Sequence, residues 1–597
     1  MKPQPVFLLN ELKRPLSRQT NRQFYGIFLI LSSTDIEGYF TERIDLVPET
    51  TFNPHEFKAQ FPIFDQAENE KLIYVDNAAT TQKPQAVIDR LTHFYLYENA
   101  NAHRASHRLA RAATDAIENS RKIIAGFINA NDRDIVFCRG TTEGFNLLAN
   151  GLASQCHAQE EIIITSAEHH ANILPWRRLA EQRNMKIRLV PDIDGIPDLS
   201  QLASMLSDNT RIVSFTMTSN VLGCKLNLES VAQLLKDHPC FYVIDAAQGL
   251  GHCPIDVDKL GCDFLVASAH KAYGPLGAGF VYGKQKVLST LDPYLLGGEM
   301  VKSVTLDAAE FNKAPGRFEA GTMQLASIAG FGAAIEFLSQ QDREGMHAHE
   351  VRLIQHIHKE LSSLPAIQLI SKPENNLGIC TFNIKSDVIE ATSGDLAQWL
   401  DEHDIAVRVG YHCAQPLYES RALQQGLRIS VAGYNTFEDC DKVVRVIREW
   451  IDNIEESKTT TTPCSNSILE SLQNAKNWQA RYKMLMEFGQ EERDESIQAD
   501  DNIIHGCEAK TWLAGSQVDG KYQFITDSES RIIRGLGVLM KHWFNGKDAD
   551  FIQNFDWETE CQKLGLTRHL SASRNNGFRA MILTAQCSVV PTSSDSE

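Results

Sequence analysis

Lys271 follows the apolar run Phe264-Leu265-Val266-Ala267 and opens a glycine-rich turn, in Ser268-Ala269-His270-Lys271-Ala272-Tyr273-Gly274-Pro275-Leu276-Gly277-Ala278-Gly279. A lysine at the end of a buried strand is partly desolvated. Desolvation lowers its pKa and supplies free amine for condensation with a carbonyl. Ser268 and His270 can hold an anion one turn away. Asp245 ends a second apolar run, Phe241 to Ile244, and is placed to meet a cation such as a protonated pyridine nitrogen. His169, in Ala167-Glu168-His169-His170, follows a third run and can stack on a flat heterocycle or move protons. Thr141 and Thr142 stand between Ile135-Val136-Phe137-Cys138 and a helical run. A Gly/Thr loop opening a helix offers N–H groups, hydroxyls and a positive dipole end to a phosphate. Taken singly, each has a plain structural reading: a solvated lysine, a capping aspartate, a satisfied histidine, a helix cap without ligand.

A second kind of chemistry is carried by Val407-Arg408-Val409-Gly410-Tyr411-His412-Cys413-Ala414-Gln415-Pro416. A nucleophilic thiolate needs exposure and positive or hydrogen-bonding neighbours. Cys413 sits in a loop bounded by glycine and proline, with Arg408 and His412 as those expected neighbours.

These residues need strands to position them. From about Phe57 to Trp450, short runs such as Ile162-Ile163-Ile164, Ile212-Val213-Ser214-Phe215 and Phe264-Leu265-Val266 alternate with helical patterns. That is the pattern of buried parallel strands in an α/β protein, where ligands sit beyond the carboxyl ends. The 597 residues exceed one hydrophobic core. With 43% hydrophobic and 22% charged residues the composition is that of an ordinary globular protein. A net charge of −18 argues against nucleic acid as a partner, and no apolar run reaches the ~20 residues of a membrane span. The 13 cysteines form no C-x-x-C pair, so neither a zinc ribbon nor a disulfide framework is expected. No metal site is expected, and reduced thiols point to the cytoplasm. Phe24 to Leu31 (FYGIFLIL), preceded by Lys13, Arg14, Arg18 and Arg22, has no A-x-A-like site after it and reads as an extension rather than a targeting signal.

The composition then changes. Glu455 to Asn466 reads EESKTTTTPCSN, a polar linker. Beyond it, Asp519-Gly520 between Trp512-Leu513 and Tyr522-Gln523-Phe524 signals a hairpin in a small α+β unit. The expected boundaries are an extension over 1–50, a first unit over 51–455, a linker over 456–466, a second unit over 467–590 and a tail over 591–597. Within the first unit a large domain covers about 75–320 and a small domain about 325–455 with the N-terminal segment.

SAHKAYGPLGAG, with RGTTEG, AEHHANILPW, TSNVLG and DAAQG in order, resembles the class V aminotransferase family, and within it the group II (SufS/CsdA-type) cysteine desulfurases. The resemblance covers roughly two-thirds of the chain. It implies the pyridoxal-phosphate transferase fold type I, with a large mostly parallel sheet domain and a small α+β domain. It implies that Lys271 carries pyridoxal phosphate, that His169 stacks on the ring, that Asp245 holds the pyridinium and that Gln248 bonds the phenolic oxygen. Thr141, Thr142, Ser268 and His270 would hold the phosphate, and Thr322 would reach the phosphate of the partner in a homodimer. Met323 stands where the family usually has proline, which puts the local turn in question. Arg428 would clamp the α-carboxylate of L-cysteine, with Asn220, Arg408 and His103 near the substrate. Cys413 would receive the sulfur, and Tyr411 replaces a common histidine. The second unit, with His505-Gly506-Cys507, resembles the SufE/CsdE sulfur acceptors, which implies that Cys507 takes the sulfur next and passes it to a downstream acceptor such as an iron–sulfur scaffold protein. Selenocysteine lyase on the same scaffold and a non-enzymatic sulfur carrier are the alternatives.

Overall fold

The computed structural model describes residues 52–589, apart from 104–105, 194–195, 390, 460–467, 476–477, 506–508, 567–569 and 571. The Phe24 to Leu31 segment, Cys507 and the tail over 591–597 lie outside the described residues.

Seven strands form the main sheet: β1 (Ile135–Cys138), β2 (Glu161–Thr165), β3 (Lys186–Val190), β4 (Thr210–Thr216), β5 (Phe241–Asp245), β6 (Phe264–Ser268) and β7 (Gly279–Gly283). Their order is β1-β7-β6-β5-β4-β2-β3. All run parallel except β7, which pairs antiparallel with both β1 and β6. The central runs are rich in β-branched and aromatic residues because both faces are covered. Successive side chains go to opposite faces. Ile135, Phe137, Ile163 and Leu265 enter one core with Ile117, Ile124 and Phe331. Val136, Ile162, Ile164 and Val266 enter the other with Phe145 and Trp176. The helix Thr141–Gly151 lies directly on the sheet, since a Cβ on Gly144 would meet Val266 Cγ1 at 2.4 Å.

A four-stranded antiparallel sheet follows, in the order Ile367–Leu369, Ile379–Ile384, Gly426–Ser430, Arg408–Gly410. It packs on the helices Arg343–Ser362 and Phe437–Thr459, through Leu353, Ile357, Phe382, Leu427, Val443 and Ile447. Ile73 and Tyr74 pair with Ile405 and Ala406, so the N-terminal segment joins this smaller core. The helix Phe437–Thr459 continues past 455 into the stretch read as linker.

The C-terminal part has its own core, including Tyr482, Leu485, Phe524, Leu536, Trp543 and Phe578. Its hairpin pairs Thr511–Val518 with Lys521–Ser528. Asp519 (φ 50°) and Gly520 (φ 76°) take the two left-handed positions that a two-residue type I′ turn requires. No described helix is long and apolar enough to cross a membrane.

Candidate active site

The carboxyl ends of β1, β2, β5 and β6 open on one cavity of about 930 Å³. It is lined by Thr141, Thr142, His169, Asn220, Asp245, Gln248, Ser268, His270, Lys271, Arg408, Cys413 and Arg428. The topology explains the convergence, because parallel strands put all their chemistry-bearing ends on one edge.

At the β1 end, Gly140 (φ 152°) turns the chain into the helix Thr141–Gly151. The Thr141 N–H donates to Ser268 Oγ at 2.8 Å, and the two hydroxyls lie 2.7 Å apart. Gly279 permits this closeness, for a Cβ there would stand 2.6 Å from Gly140 Cα. His270 Nδ1 is buried and has no protein partner. A helix N-terminus, three hydroxyls and an unpartnered ring nitrogen make a cradle suited to a phosphate.

Desolvation governs the charges. Burial lowers Lys271 to about 8, against the opposing pull of Asp245. Burial raises Asp245 to about 6, while the Ala247 N–H, donating at 2.9 Å, and Lys271 oppose the rise. Burial, with Lys271 next, lowers His169 to about 3. Its ring is therefore neutral, with Nδ1 accepting from the Ala171 N–H at 3.0 Å. Gln248 donates one amide hydrogen to the Ala78 carbonyl at 2.8 Å, which fixes its head in the wall and leaves a second N–H. These groups fit a flat pyridine ring bearing a phosphate and an aldehyde: a carboxylate for the ring nitrogen, a neutral imidazole for the face, an amine for the carbonyl and the cradle for the phosphate.

The Cys413 loop is docked on the end of β2. The His170 N–H donates to the Cys413 carbonyl at 2.7 Å, and the Gln415 N–H donates to His170 Nε2 at 3.2 Å. His412 and Cys413 both adopt left-handed φ, 49° and 56°, uncommon for residues other than glycine. The turn leaves the Cys413 side chain exposed at the cavity. Nine other described cysteines are buried. Burial pushes the Cys138, Cys224 and Cys262 thiols up to about 12, which keeps them unreactive.

Two expectations change. His412 supplies no positive charge to Cys413: burial, with Arg428 next, lowers it to about 3, and its Nε2 donates to the Gly426 carbonyl at 3.0 Å. His103 is absent from this cavity. It lines a second one with Gly321 and Met323, and its backbone N–H donates to Thr114 Oγ1. Thr322, expected to act at a partner's cradle, is exposed and does not line this chain's own cavity.

Three site residues escaped sequence reasoning. Asp76 accepts from Arg408 Nε and Nη2 (3.1 and 2.8 Å) and from Arg428 Nη2 (3.3 Å). It ends the run Ile73-Tyr74-Val75, so the strand-end criterion that found Asp245 also applies to it. Lys83 donates to the His270 carbonyl at 3.0 Å, and that oxygen also accepts from the Thr80 hydroxyl and from the N–H and hydroxyl of Thr81. Glu168 accepts from Thr165, Asn172 and the Thr216 N–H and fixes the turn bearing His169.

The chain belongs to the aminotransferase class-V family, whose model matches residues 73–443. Residues 466–588 match the SufE family, an Fe-S metabolism associated domain. Over 401 residues the chain is 41% identical to a cysteine desulfurase of Synechococcus elongatus, covering 66% of this chain and 63% of that one. A probable cysteine desulfurase of Pseudomonas putida is 39% identical over 394 residues, 66% of this chain and 96% of its own. The chain thus spans under two-thirds of the first, longer relative and nearly all of the second. The crystal structure of the cysteine desulfurase CsdA of Escherichia coli superposes with a TM-score of 0.63 at 33% identity, covering 68% of this chain and all of its own.

Proposed function

We propose that this chain is a pyridoxal-phosphate-dependent cysteine desulfurase joined to its own sulfur acceptor. The observation that carries the reading is the exposed Cys413 thiol on the same cavity as Lys271, Asp245, His169 and Arg428.

Pyridoxal phosphate, when bound, supplies an electron sink for charge developing at the α-carbon of an amino acid. The residues divide the remaining work. Thr141, Thr142, Ser268 and His270 hold the phosphate, Asp245 the ring proton, Gln248 the phenolic oxygen, and neutral His169 covers the ring face. Arg428 has a buried Nε with no protein partner, while Asn220 and Asp76 hold its other nitrogens. It receives the substrate carboxylate through a planar guanidinium already fixed in place. Arg408 at the cavity mouth adds positive potential. Lys271 Nζ, with its pKa lowered to about 8, is suited to move the α-proton. The Cys413 thiolate attacks the sulfur of L-cysteine, an S–S bond forms as the carbon–sulfur bond breaks, and the carbon skeleton leaves as alanine.

The persulfide sulfur then passes to Cys507 and on to a downstream acceptor, such as a scaffold for iron–sulfur cluster assembly. The protein acts as a cytoplasmic homodimer in which exposed Thr322 reaches the partner's phosphate cradle. The reading is tested by alanine release from L-cysteine in the holoenzyme and in Cys413→Ala. A loss of at least ~100-fold is expected, on the scale of removing a covalent nucleophile. Full activity of the variant would overturn the reading.

A further inference from the structure

Just past the end of β4, the Lys271 cavity carries a hydroxyl without a partner. Thr218 follows Thr216, the last residue of β4, by two positions. It lines the cavity and is only 1% exposed, yet its Oγ1 is buried and makes no hydrogen bond within the protein. A hydroxyl stripped of water and left unpaired is destabilising. Buried polar groups are nearly always satisfied, so an exception in a binding wall points to a ligand atom as the missing partner.

The backbone around Thr218 is fixed on both sides. Thr216 pairs with Asp245 across β4 and β5, and the Met217 N–H donates to the Asp245 carbonyl at 2.8 Å. The Thr216 hydroxyl donates to the Thr218 carbonyl at 2.9 Å. Two residues on, Asn220 Nδ2 donates to the His412 carbonyl at 2.7 Å, and the Asn220 carbonyl accepts from Arg428 Nη1 at 3.0 Å. Thr218 is thus held one strand over from Asp245.

The strand order says which edge of the cofactor faces it. The phosphate cradle is built at the ends of β1 and β6, Asp245 ends β5, and β4 is the next strand on the far side. In pyridoxal phosphate the phosphate arm and the phenolic oxygen flank the aldehyde-bearing carbon on opposite sides. A ring with its phosphate in the cradle and its nitrogen at Asp245 turns the phenolic oxygen toward β4.

We propose that the Thr218 hydroxyl is a second hydrogen-bond donor, beside Gln248, to the phenolic oxygen of bound pyridoxal phosphate. The inference rests on the roles proposed above for Asp245 and Gln248 and adds a residue to them. A phenol on a protonated pyridine ring is acidic, so its oxygen carries negative charge and has lone pairs for more than one donor. A hydroxyl has one proton to give, and donation to a charged acceptor strengthens the bond. Asp245 and the two donors then hold opposite charges at two separate positions of one ring.

The test titrates full-length apoenzyme with pyridoxal phosphate, and separately with the analogue that lacks the phenolic hydroxyl. Thr218→Val keeps the side-chain shape and removes the donor. It is expected to weaken pyridoxal phosphate binding about tenfold, the scale of losing a hydrogen bond to a charged acceptor. Thr218→Ser, which keeps the donor, is expected to bind it more tightly than Thr218→Val. For the analogue, wild type and Thr218→Val are expected to bind alike. Without cofactor, the urea midpoint of Thr218→Val is expected to be no lower than that of wild type, since an unpaired hydroxyl has been removed. Equal affinity of wild type and Thr218→Val for pyridoxal phosphate would overturn the assignment. A difference that persisted with the analogue would overturn it too, and so would a lowered apoenzyme midpoint, which marks a purely structural role. Wild type that failed to bind pyridoxal phosphate would instead overturn the cofactor site itself.

Discussion

Asp76 Oδ1 lies 3.3 Å from Arg428 Nη2, and the same carboxylate accepts from Arg408. One buried acid therefore holds apart two arginines that would otherwise repel each other beside the substrate. Without it, Arg428 would keep a desolvated charge facing a like charge. Asp76→Asn is expected to lose about 3 kcal/mol of stability, the lower end for breaking a buried pair, read from the urea midpoint of the apoenzyme. An unchanged midpoint would show that Arg428 is not held this way.

Lys271 should behave as an amine of pKa about 8 because burial disfavours its charged form. Below that pH it is an ammonium and cannot condense with an aldehyde; above it the free amine dominates. The rate of pyridoxal phosphate uptake by apoenzyme is expected to rise through about pH 8 and then level. A rise that begins only near the ordinary lysine value would contradict the desolvated site.

The four donors on the His270 carbonyl fix the peptide that carries Lys271. Burial lowers Lys83 to about 7, so near neutral pH much of it donates as a free amine, and such a hydrogen bond contributes about 0.5–1.5 kcal/mol. Lys83→Met is expected to weaken cofactor binding about tenfold, the equivalent of about 1.4 kcal/mol, measured by titrating apoenzyme with pyridoxal phosphate. Equal affinity would limit Lys83 to a passive role.

Much of the site could be read in the sequence because parallel strands end in single residues with unusual surroundings. Asp245, His169 and Lys271 each stand at, or within four residues of, the end of a five-residue strand, and the fold brings those ends to one edge. Spacing alone did not reveal the partners that complete them. Asp76 reaches Arg428 across 352 positions, and Lys83 meets His270 across 187, separations that no local pattern encodes. His412 misled for a related reason. Beside Cys413 in sequence, it turns inward to Gly426 and is neutral. The hairpin at Asp519-Gly520 was legible because its turn is a local requirement, whereas the Arg574–Asp395 contact is purely tertiary.

Gly535 shows how tightly the C-terminal part is packed. A Cβ there would lie 1.9 Å from the Leu485 carbonyl oxygen, and one on Gly489 the same distance from that of Arg531. The helices Trp478–Glu491 and Arg531–Phe544 therefore touch backbone to backbone. Gly535→Ala is expected to cost at least about 3 kcal/mol, the upper end for overpacking. A separate early unfolding transition should appear in calorimetry, with alanine release from L-cysteine retained below it. A single unshifted transition would contradict the close contact.

The most direct test follows the sulfur atom itself. Holoenzyme is given L-cysteine, alkylated and digested, and each cysteine peptide is weighed for one added sulfur. Added sulfur is expected on the Cys413 peptide and is expected to be lost entirely in Lys271→Ala. Alanine release without sulfur on Cys413, or sulfur first on exposed Cys587, would contradict it.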